Sequence, residues 1–204
     1  MPVITIAREF GAGGSRVAAV LAERLGADIV DKSLIAKVSD LAQLAPATVE
    51  AEDERPRGLI DSVVRAFGPL DMTAIWEPPY PDPLFDPRRA VLELTEQVIR
   101  EAAATGNTII VGRGGAFVLA GRPEVLHVFL RAPVDARIRA IMTRFELVEA
   151  VARRRLRETD TNRTAYMRQV YGTDWRDPSH YDLVLNTDRL GYERSAAAIF
   201  AALA

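Results

Sequence analysis

The sequence predicts an α/β fold built on a doubly wound parallel sheet, and three observations carry that prediction. Four short runs, VITIA (3–7), TIIVG (108–112), VLHVFL (125–130) and DLVLN (182–186), are almost continuously apolar. Such runs suit parallel strands covered on both faces, because an exposed face would alternate with polar residues. Helical patterns lie between them, which favours crossover connections over hairpins. A glycine-rich turn joins the first run to the first helical pattern, the arrangement by which open α/β sheets hold ligands beyond the carboxyl ends of their strands.

The elements follow in order. After VITIA comes FGAGGS, then a helix marked by Val17, Leu21 and Leu25, with Ala18 and Ala22 beside them and Gly26 as its stop. A weaker strand, ADIVD (27–31), follows. Residues 45–87 break the rhythm: Leu59, Ile60, Val63, Val64 and Phe67 make one amphipathic series, and the proline-rich EPPYPDPLFDP (77–87) then forbids regular helix or central strand. That excursion is read as either a surface segment packed by Trp76, Tyr80 and Phe85 or an acceptor-binding flap or homodimer arm. Val91, Leu94, Val98 and Ala102 mark one face of the next helix, which Thr105-Gly106-Asn107 stops. The alanine-rich stretch 191–203 is expected to be helical.

Composition sets outer limits. The 204 residues are 49% apolar and 26% charged, with 26 Lys and Arg against 28 Asp and Glu, a net charge of −2. This is ordinary for a soluble globular chain and gives no general attraction to nucleic acid or acidic membrane. Cysteine is absent and only His127 and His180 offer imidazole, so thiolate metal sites and disulfides are excluded and a zinc centre is disfavoured. No run approaches the roughly 18 apolar residues that cross a bilayer, and no signal-peptide pattern opens the sequence. A cytoplasmic location is the expectation.

The glycine turn carries the first chemistry. Gly11, Ala12, Gly13, Gly14 and Ser15 bring backbone N–H groups to a helix N-terminus, where unpaired amides and the helix dipole favour an anion. Aligned on the helix that follows, the phosphate-loop pattern G-x-x-x-x-G-K-[ST] places its second glycine at Gly13 and its magnesium-binding hydroxyl at Ser15. Its lysine falls on Gly14 and its first glycine on Arg8. The loop therefore lacks its ammonium group. Arg8 is the candidate substitute, helped by Arg16, because a guanidinium grips phosphate oxygens through two parallel N–H bonds. The competing reading ties Arg8 to Glu9 or another carboxylate as a structural pair.

IAREFGAGGSRVAAVLAERLG with IVDKSLI, NTIIVGRGGAFVL, VLHVFLRAPVDARIRAIM and RRRLRETDTNRTAYMRQVYGTDWRDPSHYDLVLNT together resemble the cytidylate kinase-like branch of the P-loop nucleoside monophosphate kinases. The resemblance covers nearly the whole chain except 45–87. It implies a three-layer P-loop kinase-like fold with an acceptor-binding insertion (45–87) and an arginine-rich lid (145–170). It also implies ATP, or another nucleoside triphosphate, as phosphoryl donor, with Mg²⁺ bridging the donor phosphates.

The family's patterns fall on particular residues here. Asp31 matches its D-K pair near the acceptor site, as a proton acceptor or a water-mediated Mg²⁺ ligand, with a helix cap as the equal alternative. Lys32 follows as a contact to the acceptor phosphate. Arg113 keeps the arginine of the family's G-R-D, whereas Gly114 stands in place of the aspartate, which leaves the expected CMP-like acceptor open. In the lid, Arg163 fits the D-x-x-R spacing from Asp160, followed by Arg157 as a second candidate; Arg153 and Arg154 are equally read as solvated partners of Glu149 and Glu158.

Trp175 and Tyr181 are expected to pack the last strand against the helix before it. His180 is read as a surface residue, His127 as a satisfied sheet histidine, and Asn186-Thr187 as a contact near the donor base. The leading expectation is thus a phosphotransferase acting on a nucleoside monophosphate or related small acceptor. The missing lysine and Gly114 keep a second one open: a catalytically weak nucleotide-binding sensor or scaffold. A nucleic-acid role for the arginine cluster is disfavoured by the mildly acidic total and the lack of interleaved aromatics.

Overall fold

The computed structural model describes residues 1–31 and 87–203. Lys32 and the excursion 45–86 lie outside the described residues. Five strands form one parallel sheet: β1 (Val3–Arg8), β2 (Asp28–Val30), β3 (Thr108–Val111), β4 (Val125–Arg131) and β5 (Leu183–Asn186). Their spatial order is β2-β3-β1-β4-β5. β1 is central, in register Val3 to Thr108 on one side and Val3 to Val125 on the other. All five runs read as strands are strands, and the parallel sheet follows because each is connected by a helical crossover.

The helices are α1 (Gly14–Leu25), α2 (Pro87–Thr105), α3 (Gly115–Val118), α4 (Val134–Phe145), α5 (Glu149–Tyr171) and α6 (Thr187–Ala201). Left-handed glycines stop α1 at Gly26 (φ 60°) and α5 at Gly172 (φ 67°), where a β-carbon would meet its own backbone. α6 starts earlier than the alanine pattern suggests, because Asn186 caps it: its side chain accepts from the amides of Asp188 and Arg189. Gly191 then breaks its regular geometry.

Side chains alternating along β1 divide the core. Ile4 and Ile6 point to the α1 and α6 face, where Val17, Ala18, Leu21, Ala196 and Ile199 are fully buried. Val3 joins the opposite face with Ile110, Val125 and the α2 residues Val98 and Ile99. These layers place every strand's carboxyl end on one side of the molecule. Among the described residues no helix is long and apolar enough to cross a membrane.

A third cluster locks α5 to that side. Trp175 is 2% exposed and packs edge-on to Phe129 of β4. Its indole N–H donates to the Thr164 hydroxyl of α5 at 3.0 Å, and the Tyr181 hydroxyl donates to its carbonyl at 2.6 Å. The packing role expected of Trp175 and Tyr181 is therefore what the structure shows. His180 departs from its surface reading: it is half-buried, bonded to Thr173 at 2.8 Å and edge-on to Phe117. His127 shares a 2.7 Å hydrogen bond with Thr5 inside the sheet, and burial lowers its pKa.

Trp175→Ala should cost about 3–5 kcal/mol of folding stability, since it empties a fully packed site. Equilibrium chemical denaturation measures this. A loss below about 1 kcal/mol would mean that the Trp175 cluster does not bind α5 to the sheet.

Candidate active site

The loop between β1 and α1 turns by placing Gly11 (φ 85°) and Gly13 (φ 80°) in the left-handed region. Ala12 is buried under it, and its carbonyl accepts the Thr187 hydroxyl at 2.9 Å. Thr187 thus anchors the loop, while Asn186 caps the last helix. No side chain caps the first turn of α1. The Ala12 amide donates to the Glu9 carbonyl at 3.1 Å and the Arg16 amide to the Gly13 carbonyl at 2.9 Å, so the amides between them are the ones that suit an outside anion.

Arg8 fills the space beside Gly14. A β-carbon added at Gly14, the lysine position of the ordinary pattern, would lie 2.8 Å from Cγ of Arg8. One added at Gly112, after β3, would lie 1.8 Å from its Nη1. The aliphatic stem of Arg8 fills the space a side chain at 14 would need, and its guanidinium passes over Gly112. Lysine at 14 and arginine at 8 compete for one volume.

Two cavities meet at this side chain. The first, about 160 Å³, is lined by Arg8, Arg113, Asn162 and Arg163 with aromatic walls from Phe117 and Trp175. The second, about 300 Å³, runs along the glycine loop past Arg16, Arg139, Arg144 and Tyr192. Arg8 and Arg163 line both. Nothing in the sequence pattern singled out Arg139 and Arg144; they enter because α4 lies beside the loop.

Burial weighs on three of the cations here. Burial pushes the Arg8 pKa down to about 9, and Arg163, Arg113 and Arg144 push the same way, while Asp31 opposes them. Burial likewise lowers Arg113 to about 10, with Tyr166 and Asp31 opposing. Burial lowers Arg163 as well. At neutral pH all three guanidiniums are charged, in a setting that penalises the charge. A polyanion would relieve that penalty.

The remaining candidates are placed as follows. Asp31 ends β2 within electrostatic reach of Arg8 and Arg113. Arg163 points its Nη1 at the carbonyl of Arg8 and stacks over Trp175 at 5.2 Å. Ser15 and Arg16 are exposed in the first turn of α1, with Arg16 over the Tyr192 ring at 5.4 Å. Arg157 is exposed on α5 and lines neither cavity. Glu9 does not pair with Arg8: it accepts from the amide of Ala132 at 3.1 Å and faces Arg137 and Arg176. Arg153 and Arg154 pair with Glu149 and Glu158, as their spacing allows.

The model of the cytidylate kinase-like family matches residues 3–189. The chain belongs to the cytidylate kinase-like family. A cytidylate kinase of Methanopyrus kandleri is 35% identical over 112 residues, covering 51% of this chain and 58% of that relative's length. Among solved structures, an uncharacterized protein from Eubacterium ventriosum matches with a TM-score of 0.71 at 19% identity, covering 100% of this chain and 98% of that one. A shikimate kinase from Bacteroides thetaiotaomicron matches with a TM-score of 0.54 at 12% identity, covering 99% and 98%. These structural likenesses concern the fold, which is that of P-loop-type kinases.

Replacing Arg8 by methionine tests the cost of burying its charge. Arg8→Met keeps most of the volume between Gly14 and Gly112 and removes the penalised charge. It should stabilise the ligand-free protein by about 1–2 kcal/mol in denaturant titrations. Inorganic tripolyphosphate is expected to raise the Tm of the wild type, and that rise should be absent in the variant. A variant less stable than the wild type would mean that Arg8 is compensated in the resting protein.

Proposed function

We propose that this protein is an NTP-dependent phosphotransferase that moves the γ-phosphate of ATP to a nucleoside monophosphate or a related small acceptor. The observation that carries this reading is the position of Arg8. It lines both the loop-side cavity and the arginine-lined one, and its stem fills the space beside position 14, which supports its taking the part of the loop lysine. Family membership agrees with it. Phosphoryl transfer asks a protein mainly to position its reactants and neutralise charge at the transferring group.

The donor's phosphates lie along the amides of residues 13–15, with the rest of the nucleotide in the cavity between Tyr192 and α4. The acceptor occupies the cavity between Arg113 and the Phe117–Trp175 wall. Arg8 and Arg163 reach both sides and hold the group being transferred. Asp31, beside Arg8 and Arg113, is the carboxylate placed to accept the acceptor's proton.

Magnesium fits this arrangement in a limited way. Among the described residues no cluster of three or more His, Asp or Glu could hold a metal alone. The exposed Ser15 hydroxyl at the start of α1 would supply one ligand, as suits an ion held mainly by phosphates. Bound there, the ion would neutralise charge on the donor phosphates.

A coupled assay for ADP formation across a panel of nucleoside monophosphates tests the reading. Turnover is expected with at least one acceptor. Arg113→Ala should reduce kcat/KM by about 10²- to 10³-fold, the cost of losing one charge-stabilising donor. ATP binding without turnover on any acceptor would favour the sensor or scaffold reading instead.

A further inference from the structure

Beneath the glycine loop lies a group of charged side chains that the phosphotransfer reading does not use. Arg137 on α4 is 4% exposed and Asp160 on α5 is 6% exposed. Neither lines a cavity. Arg137 Nη1 donates to Asp160 Oδ2 at 2.6 Å and to the carbonyl of Phe10 at 3.3 Å. Its Nε donates to the carbonyl of Ala132 at 3.1 Å. Asp160 Oδ1 accepts the amide of Phe10 at 3.3 Å, and its Oδ2 also faces Arg176 at 3.2 Å. One ion pair therefore takes both the N–H and the C=O of Phe10, the residue that joins β1 to the loop.

The consequence is geometric. The N–H of Phe10 belongs to the peptide before it and the C=O to the peptide after it. Holding both fixes the two rotations at Phe10, and with them the direction in which the chain enters Gly11. Gly11 is itself pressed close: a β-carbon there would lie 2.8 Å from the carbonyl oxygen of Arg137. Apolar packing of the same volume would stabilise a core as well as a buried ion pair does. What apolar packing cannot do is orient two peptide groups. We infer that Arg137 and Asp160 are positioning residues of the donor loop. They act through Phe10 and never touch the nucleotide, and they make the amides of residues 13–15 converge on a triphosphate. This rests on the reading that the loop holds the donor.

Calorimetry with MgATP on the wild type, Asp160→Asn and Arg137→Lys tests it, with thermal melts alongside. The asparagine keeps an acceptor for the Phe10 amide while removing the charge that holds Arg137. The lysine keeps the charge while removing the fork that spans Phe10 and Asp160. Both folded variants should bind MgATP on the order of 10- to 100-fold more weakly, as a small misplacement of positioned groups does. The KM for the acceptor should be unchanged. A folded variant that binds MgATP as the wild type does overturns the inference, however far its Tm falls. A wild type that takes up no MgATP overturns the reading of the loop instead. Should both variants fail to fold, amide exchange in the wild type decides. Protection of the Phe10 amide comparable to that of Ile6 supports the inference, and exchange as fast as an exposed turn overturns it.

Discussion

The side chain of Arg8 leaves the end of the central strand and runs between Gly14 and Gly112, and the layout of the site depends on that path. Its stem occupies the room where a residue at 14 would project, so the loop must be glycine there. Its guanidinium sits over the end of β3, where Gly112 (φ 79°) takes the left-handed conformation that favours glycine and leaves room for it. From that point it faces both cavities, beside Arg163 and Arg113. In water these like charges would be screened; between packed walls each raises the cost of the others.

The region beneath the loop is electrostatically opposite in character. Glu9 and Asp160 face Arg137 and Arg176, two anions against two cations. Cations paired that closely with carboxylates hold shape; above them burial lowers the pKa of Arg8, Arg113 and Arg163, with Asp31 opposing at the first two. Phe10 separates the two sets, and its own ring stacks on Phe145 with Arg155 over that pair. Ion-paired side chains under the loop suit a site whose binding groups must be held in place.

Much of this could be read from the sequence because it depends on local pattern. Apolar runs located all five strands, and Gly26 and Gly106 located helix ends, since backbone hydrogen bonding and left-handed turns are decided within a few residues. Arg8 stands out in the sequence at the first position of the loop pattern, and in the structure its stem lies against Gly14. The second glycine it needs, Gly112, is more than a hundred residues away and becomes meaningful only when β3 is laid beside β1. Arg137 was hidden for a similar reason. On a helix of mixed polarity it looks like any surface arginine, and only the contact between α4 and α5 buries it. Arg157 shows the converse, with suitable spacing on the sequence and a helix face that turns it to solvent.

The shared volume of Arg8 and a residue at 14 also bears on how such a loop could arise. A chain with lysine in the loop cannot simply acquire arginine at the end of its first strand, because the two side chains collide. Nor can it first discard the lysine without leaving the phosphates with one cation fewer. Passing from one arrangement to the other takes two exchanges, and each single step is worse than either end. To keep a cation beside the loop, arginine at 8 and glycine at 14 would have to be exchanged as a pair.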